Sequence, residues 1–203
     1  MTCEEERRLV VAITGASGCV YAVRLLESVV QHYDRIYLTA SENALAVIRA
    51  ELGIDFAGDE METESLLGRR YPNVEVLAPH DLAAPPSSGS TRYQGMVVIP
   101  CSMGTAGRIA AGISNDLVTR TADVCLKERR QLILVVRESP LNLIHLRNLT
   151  ALAEAGATIL PAAPAFYQHP KTVDDLVSFV VARVLQQLGL AQDLLPEWER
   201  PKE

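Results

Sequence analysis

Short apolar runs alternate with longer segments of helical periodicity along the chain. The short runs are rich in β-branched residues, as in strands buried on both faces, and they predict strands at 9–14, 35–40, 74–78, 96–101, 132–137 and 158–162. The longer segments place apolar residues on one helical face and predict helices at 18–33, 41–52, 115–128, 141–155 and 173–188. Strands that alternate with helices indicate an α/β fold, with a mainly parallel sheet and helices on both faces.

The last predicted helix has clear boundary signals. Thr172 and Asp175 form a Thr-x-x-Asp capping box, and Gly189 follows the apolar period as a stop signal. By contrast, residues 84–95 are rich in proline, serine and glycine between two strands, so we predict an exposed loop there. Long loops of this kind often carry function.

Composition and charge disfavour several classes of protein. The 203 residues, 48% of them hydrophobic, suffice for one well-buried domain and are too few for two comfortable ones. The net charge of -6, without any run rich in lysine or arginine, argues against nucleic-acid binding. The apolar runs are too short to cross a bilayer, and the acidic first residues are unlike a signal peptide. We therefore expect a soluble, cytoplasmic protein without membrane association.

The spacing of the four cysteines does not match a disulfide framework or a zinc site. Cys3, Cys19, Cys101 and Cys125 are scattered, without a C-x-x-C pair or a nearby histidine pair, and we interpret them as reduced thiols. The sequence also lacks a carboxylate cluster suited to Mg²⁺, so we expect no metal. His145 and His169 are of the residue type that often serves as a general base, but His145 lies on a predicted helix and His169 beside a proline after Tyr167, so we interpret both as structural residues.

Turns of small residues follow the first and fourth predicted strands. The first turn, residues 14–18, reads TGASG and lacks the last close-packing glycine of a dinucleotide fingerprint, and no aspartate ends strand two to bind a ribose. Free backbone N–H groups at a helix N-terminus, with the Ser17 hydroxyl, nevertheless suit an anion. The turn from Ser102 to Thr105 offers the same chemistry nearby. Together the turns suit one monophosphate, although each alone could be a simple strand-to-helix connection.

Several cations stand out in this acidic chain. Arg120 and Lys127 lie seven residues apart on one predicted helix and therefore share a face. Arg137 ends the fifth strand, and Arg183 lies in the apolar run FVVARVL, where a guanidinium needs an anionic partner or a route to water. Two interpretations stay open at this point: ordinary surface charges with a salt-bridged or snorkelling Arg183, or a binding site for a second phosphate.

A set of separated motifs carries a resemblance that covers nearly the whole chain. They are TGASG at 14–18, PPSSGS at 85–90, CSMGT at 101–105, NDLVTRTADVCLKERR at 115–130, VVRESP at 135–140 and ILPAAPAFYQHP at 159–170, followed by VDDLVSFVVARVLQQLG and LLPEWER. In this ordered set the sequence resembles the UbiX/Pad-type flavin prenyltransferases. The resemblance implies a Rossmann-like, three-layer single domain at 1–190, a tail at 191–203 that covers the active site or a neighbouring subunit, and a homododecamer.

The implied reaction joins a dimethylallyl group from dimethylallyl monophosphate to N5 and C6 of reduced FMN, and a UbiD-type decarboxylase uses the prenylated FMN. By resemblance, the FMN contacts are Gly15, Ala16, Ser17, Ser41, Ser102, Met103, Gly104, Thr105 and Arg137. The prenyl-phosphate site comprises Arg120, Lys127, Tyr167 and Arg183, with Trp198 of the tail over it. The proton-transfer candidates are Ser17, Glu51, Glu138 and the released phosphate, in no fixed order, while Lys127 assists departure of the phosphate.

Two other functions stay open. An FMN-dependent cysteine decarboxylase-like flavoprotein of the phosphopantothenoylcysteine type would have a histidine on its first helix and a PASAN-like segment, where this chain has PCSMGT at 100–105. A non-catalytic flavin-binding carrier would keep both turns but would not need the four prenyl-phosphate residues. Glu42 puts a negative charge beside Ser41, where the family commonly has a cation. The donor could be the monophosphate or the diphosphate.

Overall fold

A six-stranded parallel sheet forms the centre of the molecule, in a computed structural model that describes residues 6–56 and 61–196. The strands are β1 (Arg8–Ile13), β2 (Arg35–Ala40), β3 (Val74–Leu77), β4 (Gly95–Cys101), β5 (Gln131–Val136) and β6 (Thr158–Pro161). Their order is β3-β2-β1-β4-β5-β6, and every neighbouring pair is parallel. The predicted α/β, Rossmann-like fold is confirmed, and each predicted strand is present to within a residue at either end.

Helices cover both faces of the sheet. One layer contains α1 (Cys19–Val29), α2 (Glu42–Leu52), α3 (Thr63–Leu67) and α7 (Val173–Gln187). The opposite layer contains α4 (Met103–Ala110), α5 (Leu117–Lys127) and α6 (Leu143–Glu154). The sequence pattern predicted all of these helices except the two short ones, α3 and α4.

The strand β1 shows why the chain folds into three layers. Leu9, Val11 and Ile13 are fully buried under α1 and α7, while Val10 and Ala12 are buried under the opposite layer. A strand whose alternate residues enter two separate cores must be apolar throughout, which is the pattern of a parallel sheet covered on both sides.

Local hydrogen bonds fix the starts of three helices. Asp116, Asn142 and Thr172 each form a capping box with the residue three positions later, as the sequence predicted for Thr172 and Asp175. At the other end of α7, Gly189 has a φ of 68°, in the left-handed region that suits glycine.

The predicted exposed loop at 84–95 is wrong in part. Residues Pro85–Ser87 form a short 3-10 turn, and Pro86, Ser87 and Tyr93 are buried. The backbone carbonyls of Ser87 and Gly89 accept hydrogen bonds from arginines that lie in or just beyond α5, so the segment packs against that helix. The polar composition correctly predicted an irregular segment, but it did not predict that the segment is partly buried.

The described cysteines are free thiols, as expected, and Cys3 lies outside the described residues. Cys19, Cys101 and Cys125 are buried, and burial raises the pKa of each thiol to about 12. They are therefore protonated at neutral pH and poor nucleophiles. Among the described residues there is also no helix of the length and apolarity needed to span a membrane.

Candidate active site

The strands β1 and β4 lie side by side although they are far apart in sequence, so the turns after them meet at one edge of the sheet. From this point the chain winds outward in both directions, and such a switch point is the usual ligand site of an open parallel sheet. Thr14 joins the two turns. Its buried hydroxyl donates to the carbonyl of Pro100 at 2.7 Å and accepts from the backbone N–H of Ser102 at 2.8 Å.

A cavity of about 360 Å³ opens over these turns. Of the predicted FMN contacts, it is lined by Gly15, Ser41, Ser102, Gly104 and Thr105. The other lining residues are Glu42, Asn43, Pro79, His80, Arg108 and Asp116. The structure thus brings the ends of β1, β2 and β4 together around one space, whose size is within the range of small-molecule sites.

Three helices begin at this cavity. Ser41, Ser102 and Asp116 are the N-cap residues of α2, α4 and α5, and all three line it. The Ser102 hydroxyl accepts from the backbone N–H of Thr105 at 3.2 Å, whereas the side chain of Ser41 makes no capping hydrogen bond. The N-terminal ends of helices carry partial positive charge, so the cavity is suited to an anionic group such as a phosphate.

Gly15 is required by the close approach of the first turn to α2. A Cβ atom at this position would lie 2.6 Å from the Cβ of Asn43, well inside the distance that real side chains tolerate. Gly18 meets a different requirement, because its φ of 111° lies in the left-handed region. The small residues of TGASG therefore shape the cavity wall and start α1.

Two of the predicted FMN contacts are buried away from the cavity. Ala16 and Met103 are buried, and Met103, the first residue of α4, packs into the core on that side of the sheet. Neither lines the cavity, so only their backbone groups or their packing could support a ligand there.

Glu51, Ser17 and Arg137 form a second cluster at the start of α1. The carboxylate of Glu51, on α2, accepts from the backbone N–H groups of Gly18 and Cys19, each at 2.9 Å, and from the Ser17 hydroxyl. Burial acts to raise the pKa of Glu51, but these hydrogen bonds and the charge of Arg137 together hold it below its ordinary value of 4.5. Glu51 is therefore an ionised acceptor at neutral pH, held beside the Ser17 hydroxyl.

Glu138, the other predicted carboxylate, lies apart from this hydrogen-bond cluster. It is exposed after β5, and one of its oxygens accepts from the backbone N–H of Ser139 at 3.1 Å. As the neighbour of Arg137 in sequence it follows the same strand end. The described contacts connect Glu51, and not Glu138, to Ser17.

The cations of α5 face the segment at 85–90. The Nε of Arg120 donates to the carbonyl of Ser87 at 3.0 Å, and its Nη1 pairs with Asp123 at 2.9 Å. The Nζ of Lys127 pairs with Glu128 and lies close to Gly89, where an added Cβ would be 2.7 Å from it. Arg120 and Lys127 thus share a face, as predicted, and both already have protein partners.

Tyr167 and Arg183 belong to the opposite layer. The Tyr167 ring meets the ring of Phe179 edge to face at 6.1 Å, and Arg183 follows Phe179 by one helical turn on α7. Arg183 is exposed, and its Nη1 donates to Gln186 at 2.6 Å. Because α5 and α7 cover opposite faces of the sheet, one chain does not bring Arg120 and Lys127 together with Tyr167 and Arg183. The expected contact of Trp198 lies outside the described residues.

Sequence reasoning missed several cavity residues, above all Arg108. This arginine follows Thr105 by three positions on α4, and it pairs with Asp116 across the cavity wall. The missing signal was α4 itself: without a predicted helix at 103–110, no spacing rule places Arg108 over the turn. No group of three or more potential metal ligands occurs among the described residues.

Comparison with known proteins gives consistent matches. The family model described as Flavoprotein matches residues 1–185. The flavin prenyltransferase UbiX of Pseudomonas aeruginosa is 44% identical over 195 residues, covering 94% of this chain and 93% of the relative. The crystal structure of AnUbiX (PadA1) in complex with FMN and dimethylallyl pyrophosphate has a TM-score of 0.86 at 39% identity, over 98% of this chain and 100% of that one. The structure of the dodecameric FMN-dependent Ubix-like decarboxylase from Escherichia coli O157:H7 has a TM-score of 0.84 at 42% identity, over 95% of this chain and 100% of that one.

Proposed function

The chain belongs to the Flavoprotein family and, within it, to the UbiX-type flavin prenyltransferases, and from this premise we propose that it joins a dimethylallyl group to N5 and C6 of reduced FMN. Dimethylallyl monophosphate is the proposed donor. A UbiD-type decarboxylase is the proposed recipient of the prenylated flavin, and a cytoplasmic location remains part of the proposal.

The observation that carries the proposal is the cavity at the switch point. Five predicted flavin contacts from three strand ends line it, and three helices begin there. Backbone donors at helix N-termini suit the phosphate of FMN, and the neighbouring Ser17, Glu51 and Arg137 cluster supplies groups that could hold or move a proton near the ring system. The residues present therefore fit the flavin.

The flavin supplies the electron-rich atoms that accept the prenyl group, and the protein's residues supply binding, charge and proton transfer. Cations around the donor phosphate would stabilise the negative charge that develops as the allylic carbon-to-oxygen bond breaks. Closing the ring at C6 requires loss of a proton. The ionised Glu51 accepts a hydrogen bond from the Ser17 hydroxyl, so it is the first candidate to receive this proton, ahead of Glu138, with Ser17 as the group that could relay it.

The donor-phosphate site requires two copies of the chain in this proposal. Arg120 and Lys127 lie on one face of the sheet and Tyr167 and Arg183 on the other, so a single subunit cannot enclose one phosphate with all four. A ring-forming, head-to-tail contact would place the α5 face of one subunit against the α7 face of its neighbour. We therefore propose a homododecamer, as described for the relative from Escherichia coli.

Anaerobic incubation with chemically reduced FMN tests the activity. Dimethylallyl monophosphate and dimethylallyl diphosphate are supplied in separate reactions, because the AnUbiX complex is described with the pyrophosphate. Mass spectrometry of the released flavin should show a gain of one C5H8 unit with the monophosphate. Unchanged FMN with both donors, although FMN binding is measured in the same sample, would contradict prenyl transfer and favour a flavin carrier.

A further inference from the structure

Arg108 is the only lysine or arginine that lines the switch-point cavity within the described part of the chain. It lies on α4, and its Nη1 pairs with the carboxylate of Asp116 and donates to Asn115 at 3.3 Å. Its Nη2 donates to the Thr105 hydroxyl at 3.4 Å. The guanidinium thus interacts both with its own helix and with the segment that begins α5, and it lines the cavity.

The surroundings of Arg108 make this position unusual for a cation. The N-terminal ends of α2, α4 and α5 converge on the same cavity and contribute partial positive charge. Placing a full positive charge among three such ends is unfavourable unless an anion compensates for it. Asp116 supplies one such anion: one of its carboxylate oxygens pairs with Arg108, and the other accepts from the backbone N–H and the hydroxyl of Thr119 to cap α5.

The other ionisable groups that line the cavity leave Arg108 as the cation next to the helix ends. Glu42 and His80 are both largely exposed at the rim and pair with one another, Nε2 to Oε1, at 3.0 Å. The side chain of Arg108 is 33% exposed and that of Asp116 15%. A guanidinium has five N–H donors in a planar fork, and the contacts of Arg108 within the described chain do not involve its Nε.

We infer that Arg108 binds the phosphate of FMN, and that Asp116 is a positioning residue that orients its guanidinium. The inference rests on the proposed function, since it takes FMN as the occupant of the cavity. A phosphate between the three helix ends would accept backbone N–H donors and a charge-assisted bond from Arg108 together. The arginine would then distinguish FMN from flavins without a phosphate.

Equilibrium titration of FMN and of riboflavin, followed by flavin fluorescence, tests the inference. In the Arg108→Ala variant we expect FMN to bind about 10- to 100-fold more weakly, because a charged hydrogen bond is lost. Riboflavin, which lacks the phosphate, should change by less than about 3-fold. Arg70→Ala, at an exposed arginine beyond the end of α3, is the matched control and should change neither affinity.

Two further variants separate ligand binding from a structural role. Asp116→Asn keeps a good N-cap side chain but removes the charge that orients Arg108, so FMN should lose affinity by a smaller factor and riboflavin should not. Arg108→Lys keeps the charge without the fork and should give an intermediate FMN affinity. This variant, together with competition by inorganic phosphate against FMN but not against riboflavin, provides the test if Arg108→Ala does not fold.

Each result has a distinct meaning. Equal loss of FMN and riboflavin binding in Arg108→Ala would show that the residue only braces α4 against α5, and unchanged FMN binding would overturn the inference directly. In either case a wild-type protein that still prenylates FMN leaves the proposed function intact. A wild-type protein that binds neither flavin would overturn both proposals.

Discussion

Gly15 brings the first turn close enough to α2 for both to line one cavity. An added methyl group would lie 2.6 Å from the Cβ of Asn43, so the turn or the helix must shift. Overpacking of this kind costs about 1 to 3 kcal/mol. We therefore expect Gly15→Ala to lower both the midpoint of thermal unfolding and the affinity for FMN, measured by calorimetry and by flavin titration.

Gly104 provides the matched control for stability. An added Cβ there would lie 4.0 Å from the Ser102 hydroxyl oxygen, an ordinary van der Waals distance. Because alanine is a better helix former than glycine, Gly104→Ala should leave stability unchanged or raise it by up to about 1 kcal/mol. Equal stability of Gly15→Ala and wild type would contradict the close approach described for the first turn.

Glu51 should make the protein sensitive to acid. Its pKa is lowered in the folded state, mainly by hydrogen bonds that outweigh the opposite effect of burial. A carboxylate with a depressed folded-state pKa stabilises the fold above its unfolded-state pKa, and that contribution is lost as the pH falls through the folded value. The relevant window therefore begins near 4.5, the ordinary value for this group, and extends below it.

The measurement is the unfolding free energy of Glu51→Gln and wild type from pH 7 to pH 3. Because Glu51 is exposed and screened by solvent, we expect the variant to be less stable at neutral pH by at most about 1 kcal/mol. The difference should shrink below pH 4.5. A difference that stays constant with pH would show that the charge of Glu51 contributes nothing; Glu154→Gln, at an exposed position on α6, controls for loss of one carboxylate.

Among the helices, α7 carries Arg183 and begins at a capping box. The Thr172 hydroxyl accepts from the backbone N–H of Asp175 at 3.1 Å. Removing an N-cap side chain costs about 0.5 to 2 kcal/mol, so Thr172→Ala should lower the unfolding free energy by about 1 kcal/mol. Denaturant unfolding with an unchanged slope checks this expectation.

Thr150 is a matched threonine inside a helix. Its hydroxyl donates back to the carbonyl of Leu146 at 2.9 Å on α6, a bond that does not cap the helix. Thr150→Ala should therefore be neutral or slightly stabilising. If both threonine variants lose the same free energy, the loss at Thr172 does not come from capping.

The elements also show what the sequence could and could not predict. The strands and the capped α7 were predictable because β-branched runs and cap signals are local. The helix α4 was missed because it has only eight residues and two of them, Gly104 and Gly107, are poor helix formers. The Ser102 cap and the buried face of Met103, Ala106 and Ile109 were the signals that could have revealed it. Missing α4 also meant missing Arg108.

The sequence could predict the position of a site residue only where that residue directly follows a strand. Ser41 and Ser102 follow strands, and the ends of parallel strands meet at one edge, so their convergence followed from the fold class. Arg120 and Arg183 lie on opposite faces because their helices, α5 and α7, pack against opposite sides of the sheet. That choice of side involves contacts between distant segments, and no spacing within a motif reveals it.

At the scale of the whole molecule, an apolar surface surrounds the start of α6. Leu141, Leu143, Ile144 and Leu146 are exposed in a single chain, with Ile144 at 66%. We call these four residues the α6 patch. Exposed apolar clusters mark interfaces, and the patch fits a contact with another copy of this chain in the proposed dodecamer.

A charge in the α6 patch should disrupt assembly. We expect Ile144→Asp to shift the protein to smaller species in size-exclusion chromatography with light scattering, because a carboxylate would be buried without a partner. Thr150→Asp, on the same helix but outside the α6 patch, should leave the assembly size unchanged. If Ile144→Asp assembles like the wild type, the α6 patch is not an assembly interface.

The division of the proposed donor-phosphate residues between opposite faces predicts complementation between inactive subunits. Lys127→Ala and Arg183→Ala should each lower prenyl transfer by about 100-fold or more, because each removes a charge from the departing phosphate, while FMN stays bound. Loss of FMN together with activity in Arg183→Ala would contradict this separation of roles.

Mixed oligomers of these two variants distinguish a site within one chain from a site between two. Co-expressed chains with different tags, purified through both tags, contain sites that take Lys127 from one subunit and Arg183 from its neighbour. With random mixing about a quarter of such sites regain both residues, so prenyl transfer should return to about a quarter of the wild-type rate per subunit. A site within one chain would stay inactive, because every chain in the mixture lacks one of the two cations.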